Sequence, residues 1–103
     1  MKKGIIEMCL LHILFEGDEY GYPLMNRMKQ YFSGTDDSTY YSILRRLAAA
    51  GYTETYTGAV SGGPERKYYR ITDSGKKYLK ELETNWRNLE AVVRALGIGG
   101  DSK

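Results

Sequence analysis

One cysteine, one histidine and two prolines in 103 residues remove several classes of protein at once. A lone Cys9 cannot close a disulfide within the chain, and its apolar neighbours point to a buried, reduced thiol in an intracellular setting. Structural zinc sites draw on several cysteines close in sequence. Cys9 and His12, three apart, do not make one, and no metal or other cofactor is expected. Catalysis has as little to work with. There is no second histidine, no glycine-rich phosphate loop ahead of a helix and no serine–histidine–carboxylate set, so no catalytic residue is expected. No apolar run approaches the ~18–20 residues of a membrane span. The start, Met1-Lys2-Lys3-Gly4-Ile5-Ile6, has the outline of a signal peptide, but Glu7 and His12 break its apolar core. The chain therefore reads as soluble and cytoplasmic. Neither a repeat nor an interior linker divides it, which predicts one structural domain.

What the sequence has is apolar residues, 42% of the total, and ten tyrosines. Tyrosine brings packing area with a polar tip, which suits a surface that binds something. The net charge of +2 is small for a nucleic-acid binder, but the cations cluster in Arg45-Arg46, in Arg66-Lys67 with Arg70, and in Lys76-Lys77.

Periodicity predicts a first helix over Gly4–Phe15 that is apolar on nearly every side and so must be buried on several. A polar turn from Glu16 to Glu19 follows. A second helix fits Tyr22–Phe32, with Pro23 tolerated in its first turn. A third, capped by Asp36 and ending at Gly51, puts Tyr40, Ile43, Leu44 and Leu47 on one face and Ser38, Tyr41, Ser42 and Arg45 on the other. Tyr52–Thr57 and Arg66–Ile71 read as two strands of a hairpin, with Gly62-Gly63-Pro64 at its tip. Thr72 or Asp73 then caps a final helix reaching Leu96. It carries Leu79, Leu82, Trp86, Leu89, Val93 and Leu96 at alternating spacings of three and four. That is a heptad stripe, and nothing else in so short a chain covers it, which makes these six residues a candidate dimer interface. The expected layout is residues 1–72 as the DNA-binding region, 73–97 as the dimerisation helix and 98–103 as a tail.

Three helices followed by a hairpin are the order of a winged helix-turn-helix, in which the third helix enters the major groove and the hairpin touches flanking phosphates. The fold expected is mainly helical with a small β-hairpin, plus a C-terminal dimerisation helix. Ser38, Thr39, Tyr41, Ser42, Arg45 and Arg46 are the candidate DNA contacts of the helix. Short hydroxyls permit close approach, and Arg45 can pair with guanine or clamp a phosphate, while Arg46 points sideways toward the backbone. Arg66 and Lys67 of the wing can neutralise phosphate. Two other readings fit the same residues: a winged helix used only for protein–protein contact, and a ligand sensor without specific DNA binding.

Tyr20-Gly21-Tyr22, the run Ser38-Thr39-Tyr40-Tyr41-Ser42-Ile43-Leu44-Arg45-Arg46-Leu47, and Gly62-Gly63-Pro64-Glu65-Arg66-Lys67-Tyr68-Tyr69-Arg70-Ile71-Thr72 together resemble the PadR family of transcriptional repressors. The resemblance spans about Ile5 to Leu96 and departs at Ser38 and Ser42, where glycine and proline are usual. It implies a homodimer on a pseudo-palindromic DNA operator. The single C-terminal helix resembles the short subgroup that includes multidrug-binding regulators. This implies that Trp86, with Met8, His12 and Glu90, lines an interface pore for a planar hydrophobic ligand. The carboxylate of Glu90, one turn beyond the indole, would favour a cationic ligand.

Overall fold

The computed structural model describes residues 2–59 and 63–99. The order is α1 (Lys2–Glu16), β1 (Glu19–Tyr20), α2 (Gly21–Tyr31), α3 (Asp37–Ala49), β2 (Thr53–Ala59), β3 (Glu65–Ile71) and α4 (Asp73–Leu96). It is a winged helix: three helices, then a hairpin, then a long fourth helix. The predicted elements are all present. The strands run longer than expected, since Gly58, Ala59 and Glu65 continue the ladder; the tip at Gly62 lies outside the described residues.

α1 is the hub. Its Ile6, Leu10, Leu11, Ile13 and Leu14 are buried, and it touches α2, α3, α4 and β3. An all-round apolar helix has no solvent face to spare, so the other elements assemble about it. α2 contributes Leu24, Met25 and Met28, and α3 contributes Tyr40, Ile43, Leu44 and Leu47. The inward face read from the sequence of α3 is thus its core face. Tyr40 is fully buried and its hydroxyl donates to the Phe32 carbonyl (3.1 Å), satisfying a group left open at the end of α2.

α3 closes on Gly51, whose φ of 84° is left-handed. The Tyr52 N–H returns to the Leu47 carbonyl (2.9 Å) and the Gly51 N–H to that of Ala48 (3.0 Å), which satisfies the last carbonyls and turns the chain into β2. β2 and β3 pair antiparallel from Thr53↔Ile71 to Ala59↔Glu65. A third strand corrects the two-stranded hairpin expected from sequence. Glu19 and Tyr20 pair with Tyr69 and Tyr68, giving the order β1-β3-β2. This strand is two residues long and lies in what reads as a polar turn; pairing with a distant strand, not local propensity, makes it.

Thr72 caps α4. Its Oγ1 accepts from the Gly75 N–H (3.0 Å) and donates to the Gly51 carbonyl (2.7 Å). Gly75 packs so closely that a Cβ there would lie 2.0 Å from the Tyr52 carbonyl oxygen. The 24 residues of α4 span about 36 Å at ~1.5 Å per residue. The chain is accordingly elongated. Its radius of gyration is 15.7 Å, against about 13 Å for a compact domain of ~100 residues. No helix among the described residues is long and apolar enough to cross a membrane.

Candidate nucleic-acid interface

The outward face of α3 is exposed at Ser38, Tyr41, Ser42 and Arg45. Two acids sit at the start of this helix, and both have partners within the chain. Asp36 accepts from the Thr39 hydroxyl (2.8 Å), and this bond first of all holds its carboxyl below the ordinary value. Asp37 pairs with Lys29 (2.8 Å), which raises the lysine. The charge of Asp37 is therefore countered by Lys29, while the hydroxyl bonds of Asp36 fix its carboxylate in place and keep it ionised. Thr39 itself is half-buried and engaged with Asp36.

Beside α3, the start of α2 and the wing enclose a notch of about 520 Å³ lined by Tyr20, Gly21, Tyr22, Tyr41, Arg66, Lys67 and Tyr69. Gly21 makes this possible, since a Cβ there would press to 3.1 Å on the Tyr41 hydroxyl. The notch combines phenols, two cations and the N-terminal turn of α2, whose free N–H groups favour an anion. Tyr69 is only 7% exposed, and burial pushes its phenol up.

The outer face of the sheet carries a row of tyrosines in register, Tyr20, Tyr68 and Tyr56. Tyr56 stacks on Tyr68 (centroids 5.4 Å apart) and Tyr20 meets Tyr68 edge-on (5.5 Å). The Tyr56 hydroxyl donates to Asp18 (2.6 Å), which raises its pKa. Arg66 lies over the Tyr20 ring (5.9 Å) and Lys67 over the Tyr69 ring (5.8 Å), so these wing cations are braced by aromatic faces while remaining exposed. Arg70 is held by Glu54 (3.0 Å) and the Tyr56 ring (4.8 Å).

A second region lies where α1, α2 and α4 meet. A cavity of about 620 Å³ brings together Met8, His12 and Trp86, with Cys9, Ile13, Met28, Tyr31, Phe32 and the charged Glu16, Arg27, Glu83 and Arg87. Burial raises the Cys9 thiol. His12 and Arg27 both approach Glu16, at 3.5 and 3.6 Å. Beyond this cavity, α4 presents Trp86, Leu89, Val92 and Leu96 to solvent, the last 70% exposed.

Residues 10–81 match the Transcriptional regulator PadR-like family. The chain belongs to that family. It is similar to a PadR-like transcriptional regulator of Bacillus cereus (33% identity, TM-score 0.86, covering 95% of this chain and 96% of that one). A Streptococcus mutans structure is as near, at 36% identity and TM-score 0.86 over 94% of this chain and 90% of the other. An uncharacterised protein of Lysinibacillus sphaericus is 36% identical over 88% of this chain and 86% of its own length. The chain is thus a DNA-binding transcription regulator and not an enzyme.

Within this PadR-like chain, most residues singled out from sequence fall into the two regions just described, and a few do not. Arg46 turns away from the α3 outward face and pairs with Glu7 on α1. Glu90 does not line the cavity. It pairs with Arg94 (3.8 Å), and Glu16 and Glu83 are the carboxylates at the cavity wall. Leu79 is 4% exposed and part of the chain's own core, while Leu82 and Val93 are half-buried. Sequence reasoning missed Tyr20, Tyr22 and Tyr69 in the notch, and Val92 on the exposed ridge. The Tyr-Gly-Tyr run was the available signal for the first two: two phenols flanking the residue that needs no side chain.

Proposed function

We propose that the chain works as a cytoplasmic homodimer that represses transcription by occupying a pseudo-palindromic operator and is released by a planar hydrophobic ligand. The observation that carries this reading is the apolar ridge of Trp86, Leu89, Val92 and Leu96, left uncovered on a helix that projects from the body beside the cavity holding Trp86. Large exposed apolar patches mark interaction sites. A second copy of the same helix offers a complementary ridge. Two α3 helices held about 34 Å apart would read successive major grooves, Ser38, Tyr41, Ser42 and Arg45 facing base edges and phosphates, Arg66 and Lys67 the flanking backbone. Any ligand would act by preferring one arrangement of the two heads over the other.

Sedimentation at micromolar concentration should give a dimer, and Leu89→Asp should give a monomer; a wild-type monomer sinks the dimeric reading. Binding to duplex DNA should weaken steeply with salt, and the double change Arg66→Ala, Lys67→Ala should flatten that slope by about 0.9 for each phosphate that is no longer neutralised. A salt-independent association would favour a protein-binding module instead. Planar cationic dyes should quench Trp86; no quenching at high micromolar dye removes the ligand step.

A further inference from the structure

Glu7 is the one charged side chain among the described residues that is buried, at 8% exposure. It lies at a crossing of three helices. One carboxylate oxygen accepts from the Tyr78 hydroxyl on α4 (2.7 Å) and the other from the Arg46 guanidinium on α3. Tyr78 in turn stacks on Tyr52, just past α3, with centroids 4.2 Å apart and planes 9° from parallel. Both oxygens of Glu7 are therefore engaged by residues far away in the sequence.

Burying a carboxylate to make an ion pair is a poor way to gain stability, because well-packed apolar groups of similar size often serve as well or better. What such a pair does well is hold a particular arrangement. Here it holds a cation of the helix that faces DNA. Arg46 follows Arg45 directly, its side chain is 43% exposed, and its guanidinium is drawn back toward α1. Without the carboxylate it would be a flexible cation on the edge of the recognition helix, free to reach a phosphate.

We propose that Glu7 is a positioning residue that withholds Arg46 from the DNA backbone. It thereby sets how many phosphates α3 neutralises, from the far side of that helix. The control point is adjacent to the cavity, since the next residue on α1, Met8, lines its wall. A shift of α1 against α3 that parts Glu7 from Arg46 would change the electrostatics of DNA binding without touching the outward face of α3. The proposal rests on the reading that α3 faces DNA.

The test is the salt dependence of binding to a random-sequence duplex of about 30 base pairs, using the full chain. Arg46→Ala should leave the slope of log K against log salt unchanged. Glu7→Gln should steepen it by about 0.9 per subunit as Arg46 finds a phosphate. Combining the two should restore the wild-type slope. Glu81→Gln, an equal charge change at an exposed site on α4, should have no effect. A shallower slope in Arg46→Ala overturns the proposal, because Arg46 would then already be on the backbone. So does an unchanged slope in folded Glu7→Gln. If Glu7→Gln does not fold, Arg46→Ala decides alone: an unchanged slope supports the withholding and a shallower one ends it. A wild-type chain without salt-dependent duplex binding removes the reading of α3 and this proposal with it, and is recognised before any variant is compared.

Discussion

Up to Leu82, α4 is fastened to its own chain: Thr72 caps it onto Gly51, Gly75 lies against the Tyr52 carbonyl, Tyr78 bonds to Glu7 and Leu79 is buried. From Trp86 onward the same apolar stripe continues, but Trp86, Leu89, Val92 and Leu96 face outward, and the ion pair on that stretch is the exposed Arg94–Glu90. One helix thus has an end that belongs to the core and an end whose apolar residues are open to solvent. A heptad pattern states that a face is to be covered; it does not state by what.

The sharpest way to break this contrast is to truncate one leucine from each end. Leu79→Ala should destabilise the chain by about 2–5 kcal/mol, as a large-to-small change in a packed core does. Leu96→Ala should leave the chain's own packing nearly intact and weaken any dimer, so that its Tm rises less steeply with protein concentration than that of the wild type. Thermal unfolding at several concentrations checks both. Equal, concentration-independent destabilisation would mean that the two ends are alike.

Gly75→Ala comes next. The added methyl meets a backbone oxygen, not a flexible side chain, so α4 must shift. A loss of about 1–3 kcal/mol is expected from overpacking, a fall of roughly 4–8 °C in Tm per kcal/mol for a chain of this size. The same change at Gly97, beyond the exposed end, meets open space but a left-handed φ of 83°. Its cost should be about 1 kcal/mol, the strain of a Cβ in that conformation.

The anchored end should also carry a pH signature. Burial and then the hydrogen bond to Glu7 push the Tyr78 phenol up to about 12. A raised value in the fold means that the neutral phenol is favoured there. Its contribution is complete below the ordinary tyrosine value near 10 and is lost as pH rises from about 10 through about 12. Tyr78→Phe should flatten this alkaline loss, measured by unfolding at stepped pH. A wild-type profile as flat as the variant's would mean that the fold does not hold the Tyr78 phenol above its ordinary value.

The smallest effect is expected at Glu90. An exposed pair four residues apart on a helix contributes about 0.3–0.5 kcal/mol, so Glu90→Gln should move neither stability nor dye binding appreciably. Glu83→Gln, at the cavity wall, should weaken a cationic dye more. The reverse order would return Glu90 to the ligand site.

Much of this protein is legible along the chain because the deciding forces are local. The inward and outward faces of α3 follow from 100° per residue, Gly51 and Gly97 mark helix ends by the conformation they alone adopt easily, and Thr72-Asp73 announces a cap that the structure assigns to Thr72. The Arg66-Lys67 pair and the run around Tyr40 are contiguous, and so they are recognisable as a family pattern. Two kinds of feature are not legible. β1 is too short to have a periodicity, and it is made by Tyr68 and Tyr69, nearly fifty residues on. The partner of a charge cannot be read from its position either. Arg45 and Arg46 are identical neighbours, yet a turn of 100° sends one to the exposed face and the other to a buried carboxylate on α1. The sequence by itself determined the helices, their faces, the wing and the family, since these depend on neighbours within a few residues. Only the tertiary structure decided that Glu7 claims Arg46, that Leu79 is core while Leu96 is not, and that Glu16 and Glu83 stand at the wall of the Trp86 cavity where Glu90 was expected. Burial and pairing are properties of segments that meet in space, and no spacing along the chain encodes which ones meet.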